Sequence, residues 1–232
     1  ASTMRGISLL QTNKIDFSVI AVLTNHSLNF PESIFNFFME HQIRNVGFNI
    51  DETEGANQSS SLEKDGVEGR YRTFIKRLYE LAKSTNGYLK VREFEQTKNF
   101  IYENCNALQG QVTPFTMINI AYNGDFSTFS PELLSMKSSS YGDFILGNVQ
   151  QDSFDSICQT DKFNKINRDI QAGVELCKHT CQYFSLCGGG APSNKYFENG
   201  SFATSETMYC KYTKKIITDI VLEDIEKDLG IV

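Results

Sequence analysis

A chain of 232 residues is long enough to bury a core without help from metals or disulfides, as one large domain or two small ones. Its formal net charge of −6 argues against a general binder of nucleic acid or of anionic membranes, and no apolar run approaches the length of a membrane span. No secretory signal opens the sequence, so a cytoplasmic protein is expected.

The first half alternates helices and strands. Residues 2–11 read as the end of a helix. Phe17 to Thr24 is a nearly continuous apolar run, which predicts a strand covered on both faces, as in a parallel sheet. Pro31 opens a helix whose apolar face is Ile34, Phe35, Phe37, Phe38 and Ile43. Asn45 to Ile50 is a second short strand, followed by a polar loop from Asp51 to Gly66. Val67, Tyr71, Phe74, Leu78 and Leu81 recur at helical spacing, which predicts an amphipathic helix over 67–83. A further helical segment spans about 90–105. The alternation means βα units and a parallel sheet. Two strands cannot close a barrel, so this half reads as the second part of a larger α/β domain. The chain begins with Ala1 rather than Met, as a processed chain or a piece of a longer one does.

Near Pro114 the pattern changes. Met117 to Tyr122, Asn123-Gly124 and Asp125-Phe126 form a hairpin signal, since Asn-Gly favours a two-residue turn. Tyr141 to Leu146 suggests another strand. Phe154, Ile157, Phe163, Ile166, Ile170 and Val174 predict helix over 153–174. Lys211 to Leu229 reads as a closing helix. No internal repeat or low-complexity linker divides the chain. The second half therefore reads as a hairpin-plus-helices unit around a cysteine-rich stretch.

That stretch carries Cys177, Cys181, Cys187 and Cys210, spaced Cys-x₃-Cys-x₅-Cys-x₂₂-Cys. Metal ligation, disulfides and free buried thiols are the three readings of such a set. Thiolates are soft ligands that suit zinc or iron–sulfur clusters. Gly188-Gly189-Gly190 allows backbone with positive φ close to a metal centre, where a Cβ would clash. The paired knuckles of a structural zinc site are absent, and an iron–sulfur cluster is the favoured reading. His179, between two of the cysteines, is a substitute ligand or only a neighbour. Cys158 shares helical spacing with Phe154 and Ile157 and reads as a core thiol. Cys105 ends a helical segment and reads as a free thiol, with contact to a cluster or substrate as the alternative.

Ligands of parallel α/β sheets sit at the carboxyl ends of strands. Here those ends are Thr24-Asn25-His26 and Asn49-Ile50-Asp51-Glu52, although polar residues after strands are more often loop and cap residues. Arg92, Glu93 and Glu132 are further polar candidates. Ser193-Asn194-Lys195 is placed to order the loop over the cysteines, and Glu198-Asn199-Gly200 reads as a turn.

The run from Cys177 to Gly200, closing at Met208-Tyr209-Cys210, resembles the SPASM region of radical S-adenosylmethionine (SAM) enzymes. It is most similar to the maturases of ribosomally made, often glycine-rich, precursor peptides, cyclophane-forming relatives among them. Residues 4–30, Gly47 to Gly55 and Thr128 to Leu133 also resemble that family, so the likeness covers nearly the whole chain. It implies an α/β fold in two parts. Residues 1–110 would be the C-terminal part of a partial (β/α)6 TIM-like barrel, and residues 111–232 a small SPASM-like α+β domain. It implies one auxiliary [4Fe–4S] cluster on Cys177, Cys181, Cys187 and Cys210, and it implies that Asn25, Asn49 and Glu52 face SAM or the substrate. In the intact enzyme SAM and a second [4Fe–4S] cluster would generate a 5′-deoxyadenosyl radical that abstracts hydrogen from the peptide. The auxiliary cluster would take up the leftover electron or position the peptide. A reductant such as a flavodoxin or ferredoxin would supply electrons; neither nucleic acid nor membrane is an expected partner.

Two departures qualify the likeness. The family's SAM-cluster motif, Cys-x₃-Cys-x₂-Cys, is not in these residues, so this chain alone is expected to be inactive. The places of further cluster cysteines, around the hairpin and at Ala191, hold none, which argues for one auxiliary cluster and against two. The alternative from another class is a non-catalytic, zinc-stabilised peptide-binding module.

Overall fold

The computed structural model of the chain describes residues 2–104, 106–134 and 136–231. Helix α1 (Ser2–Thr12) leads into strand β1 (Val19–Leu23). Pro31 occupies the first turn of α2 (Pro31–Glu40), where its missing N–H leaves no intrahelical bond unmade. Strand β2 (Asn45–Ile50) pairs in parallel with β1, from Val19 opposite Val46 to Leu23 opposite Ile50. Helix α3 (Val67–Ser84) buries Val67, Tyr71, Phe74, Leu78 and Ala82, the stripe that 3.6 residues per turn requires. A two-residue strand, β3 (Lys90–Val91), adds in parallel to the free side of β2 and runs into α4 (Arg92–Glu103). The sheet order is β1-β2-β3, with a helix in each crossover.

The second half is antiparallel. Strands β4 (Ile118–Ile120) and β5 (Asp125–Thr128) make the predicted hairpin. Ala121 N–H donates to the Asp125 carbonyl, and Gly124, at φ +89°, donates to the Ala121 carbonyl. The loop therefore holds three residues with glycine in the left-handed position, rather than a two-residue Asn-Gly turn. Strands β6 (Lys137–Ser138) and β7 (Gly142–Asp143) pair with each other, and β8 (Gly147–Asn148) joins β5. A Ser153/Ser156 capping box starts α5 (Phe154–Cys158). Thr160 then restarts the helix by accepting the Phe163 N–H, giving α6 (Asp161–Thr180). Short helices α7 (Phe184–Cys187), α8 (Pro192–Asn199) and α9 (Met208–Cys210) follow. A π-helical turn, Lys211–Lys215, leads into α10 (Ile216–Asp228).

Two cores result. The first joins Val46, Phe48 and Ile50 of β2 to α3 and α4, and it also takes in Tyr212, Ile216, Ile217, Ile220 and Val221 of the closing helix. The second is aromatic: Phe126, Phe129, Leu133, Phe144, Ile157, Phe163, Ile166, Ile170 and Phe202. The closing helix thus packs on the α/β half, although it follows the cysteine stretch in sequence. The Arg72–Asp219 pair, at 2.7 Å, and the Tyr79–Asp224 hydrogen bond, at 2.8 Å, fasten it there.

Three expectations change. Strand β1 is not covered on both faces, since Ile20 and Val22 are 57% and 60% exposed. Phe37 stands outward from α2. Tyr141 to Leu146 is not a continuous strand: only Gly142 and Asp143 pair, the backbone bends, and Phe144 drops into the aromatic core. Strand β3 went unseen because two residues are too short for any alternation to show.

Gly173 in α6 shows how tightly the second half closes. A Cβ there would sit 2.1 Å from the Phe202 carbonyl oxygen. Helix propensity alone favours alanine over glycine by about 1 kcal/mol. Overpacking against a backbone carbonyl outweighs that gain, so Gly173→Ala is expected to destabilise the chain by about 2 kcal/mol net in chemical denaturation.

Candidate metal centre

The second half positions its cysteines by helix ends. Cys177 lies in the last turn of α6, and Cys181 is its C-cap, with the N–H of Cys181 donating to the Cys177 carbonyl at 2.9 Å. Cys187 ends α7, and Gly188 follows in the left-handed conformation at φ +70°. Gly188 also passes close to the segment after α4: a Cβ on it would meet the Ala107 carbonyl oxygen at 2.8 Å. Only glycine meets both demands. Gly189 and Gly190 continue at φ +104° and +73°, so the chain doubles back toward the Cys187 thiol. Cys210 ends α9, where Thr207 forms a capping box with it: the Cys210 N–H donates to Thr207 Oγ1 at 3.0 Å.

These four thiols line one cavity of about 240 Å³. Its other walls include Gly189, Gly190, Lys195, Tyr209 and Lys215. Cys177 is buried and the other three are half-buried. Burial pushes the Cys187 thiol up, against the opposing pull of Lys214 and the Gly189 and Gly190 backbone N–H groups. Burial likewise raises Cys210, against hydrogen bonds from Thr207.

A single zinc ion needs its sulfur ligands about 2.3 Å from one point. Among the described residues, no group of three or more His, Cys, Asp or Glu side chains is arranged to hold one metal ion. Four thiols around one cavity are the donor set that a thiolate-ligated iron–sulfur cluster uses. His179 points away: it is 75% exposed and meets Glu175 one turn earlier. Cys158 is a half-buried thiol packed against the aromatic core. Cys105 lies outside the described residues.

The strand-end candidates sit on the α/β half and are each held by a neighbour. Asn25 Oδ1 accepts from Arg70 at 2.6 Å, and Asn49 Oδ1 accepts from Arg92 at 3.0 Å. Glu52 Oε2 accepts from Asn194 of α8 at 2.7 Å, one residue before the cavity-lining Lys195. Glu93 does a structural task, taking the Phe48 N–H of β2 at 3.1 Å. Glu198, read from sequence as part of a turn, accepts the N–H groups of Met208 and Tyr209 and so caps the helix that carries Cys210. No local pattern announces it, because its partners lie ten and eleven residues away.

Residues 112–182 match the family model of SPASM, the iron–sulfur cluster-binding domain. That span includes Cys177 and Cys181 and stops short of Cys187 and Cys210. The whole chain is 49% identical to the uncharacterized protein sll1766 of Synechocystis sp., covering 58% of that protein. It is 21% identical over 222 residues to a cysteine-type anaerobic sulfatase-maturating enzyme of Clostridium novyi, covering 55% of it. Among solved structures it is similar to anSMEcpe with bound AdoMet, with a TM-score of 0.67 at 18% identity, over 98% of this chain and 58% of that one. The same enzyme with AdoMet and the Cp18Cys peptide matches with a TM-score of 0.65 at 19% identity, over 98% of this chain and 62% of that one. The chain has the mixed α/β fold of the matching part of this radical SAM, SPASM-type enzyme, and it spans somewhat more than half the length of the curated relatives it matches. Among the described residues no helix is long and apolar enough to cross a membrane.

Glu54, on the loop after β2, has its carboxyl pushed up to about 7, chiefly by burial, with Glu132, Glu52 and Glu198 adding to it and Ser193 opposing. A carboxyl raised on folding stabilises fully below its unfolded pKa of 4.5 and loses that contribution as pH rises through about 7. Glu54→Gln, which fixes the neutral form, is expected to unfold at higher denaturant than the parent at about pH 8. The two should converge near pH 4.5.

Proposed function

We propose that the chain is the cluster-bearing part of a radical SAM/SPASM enzyme that modifies a ribosomally made precursor peptide. Cys177, Cys181, Cys187 and Cys210 would hold one auxiliary [4Fe–4S] cluster. The observation that carries the reading is that four cysteines from four chain positions line one cavity. The SPASM match over 112–182 supports it. Solved structures of anSMEcpe with bound AdoMet, two of them also with the Cp18Cys or Kp18Cys peptide, support the SAM and peptide parts.

When bound, the auxiliary cluster supplies one-electron transfer, and SAM with its own cluster supplies hydrogen abstraction. The chain's residues supply binding and orientation. The glycine triplet brings backbone N–H groups to the sulfur side of the cavity. Asn25, Asn49 and Glu52 are proposed to face SAM or the peptide from the strand ends, and Arg70, Arg92 and Asn194 fix their rotamers. Burial raises the Glu52 carboxyl, with Asn194 opposing, which suits a group that meets a polar ligand away from bulk water. Residues 1–110 would form the SAM- and peptide-facing part and residues 111–232 the cluster part. A cyclophane cross-link is one product class proposed, alongside other side-chain modifications, and a flavodoxin or ferredoxin is the electron source.

Anaerobic reconstitution is expected to yield brown protein with about four irons per chain. Cys181→Ser should lose at least half of that iron, and His179→Ala should lose none. Colourless protein with one equivalent of zinc contradicts the proposal, and undiminished iron in Cys181→Ser contradicts the ligand set.

A further inference from the structure

One charged group in the cavity wall has no counter-charge of its own. Lys195 lies on the first turns of α8 and is only 3% exposed. Its Nζ donates to the Gly173 carbonyl at 2.8 Å and to Cys177 Sγ at 3.3 Å. Those acceptors are one helical turn apart on α6. The stem passes Gly190, whose missing Cβ would stand 3.9 Å from Lys195 Cε. A Cβ on Gly173 would stand 3.1 Å from Nζ. Two glycines thus bound the channel that carries the ammonium to the sulfur.

Among the described residues no carboxylate pairs with Lys195. The contrast with Lys215, also in the wall, is informative: Lys215 is paired with Glu206. Burying an unpaired ammonium costs several kcal/mol, and proteins retain one where an anionic partner offsets it. A backbone carbonyl does not supply that charge. A thiolate-ligated cluster does, because it carries net negative charge and gains one more on one-electron reduction.

We infer that Lys195 is the positioning residue that offsets the charge of whatever cluster Cys177 ligates, holding Cys177 Sγ by hydrogen bond and favouring the reduced state. The inference rests on the cluster reading of the site. A buried cation beside a ligand sulfur stabilises the more negative of two redox states, and hydrogen bonds to cluster sulfurs raise the potential in the same direction. Lys195 is thus a residue that sets how readily the cavity's cluster accepts an electron.

The test is a redox titration, followed by electron paramagnetic resonance, of the reconstituted 232-residue chain and of Lys195→Met, Lys195→Gln and Lys195→Arg, with iron counted in each. The two neutral variants are expected to shift to lower potential by about 59 mV, a tenfold smaller reduced-to-oxidised ratio at fixed poise. The arginine variant keeps the charge and should shift by less than half as much. Neutral variants that lose iron while the arginine variant keeps it also support a requirement for charge. The inference is overturned if the neutral variants hold full iron at the parent potential. It is equally overturned if arginine behaves as methionine does, in potential or in iron loss, because Lys195 would then serve packing alone. A parent chain without iron sinks the cluster reading itself, whatever the variants do.

Discussion

Four thiols line one cavity, and the second half of the chain closes around it. The backbone spaces these thiols. The ends of α6 and α7 supply Cys177, Cys181 and Cys187, and α9 supplies Cys210. Each of those ends needs something particular. Gly188 must take a left-handed turn hard against the Ala107 carbonyl. Thr207 must cap α9, and Glu198 must receive the N–H groups of Met208 and Tyr209. The sulfurs stay where they are because these backbone groups have no better partners elsewhere.

The cavity is fastened to both cores. Tyr183, beside the short helix of Cys187, donates to Asp219 of α10 at 2.6 Å, and the same carboxylate pairs with Arg72 of α3. Ser193 N–H donates to Ser130 Oγ at 3.2 Å, joining α8 to the residues after the hairpin. Asn194 reaches across to Glu52 at the end of β2. Consecutive residues of one helix therefore touch the hairpin half, the strand end of the α/β half and, at Lys195, the cavity. Glu52 and the Cys177 sulfur are thereby joined through two adjacent residues of α8. That short connection supports the proposal that the strand ends and the cysteine cavity serve one site.

Much of this was legible in the sequence. The helical spacing of α3 and α6, the run of β2 and the Asn-Gly hairpin carry their periodicity in plain view. The cysteine spacing beside three glycines pointed to one centre, and the cavity gathers those same four cysteines. What stayed hidden depends on distance along the chain. Glu198 works as a cap for residues a loop away, and Glu93 serves a strand 45 residues earlier. The closing helix has an ordinary apolar stripe, and nothing in that stripe says which of two cores it will enter. Exposure of Ile20 and Val22 could not be read from an apolar run, because an apolar side chain is not by itself a buried one.

The central claim is that the four-cysteine cavity holds iron as a cluster. Anomalous scattering from anaerobically grown crystals, recorded on either side of the iron and zinc absorption edges, measures this most directly. The account predicts an iron signal inside the cavity, within bonding distance of the sulfurs of Cys177, Cys181, Cys187 and Cys210. A signal that appears only at the zinc edge, or iron bound anywhere but among those four sulfurs, would contradict it.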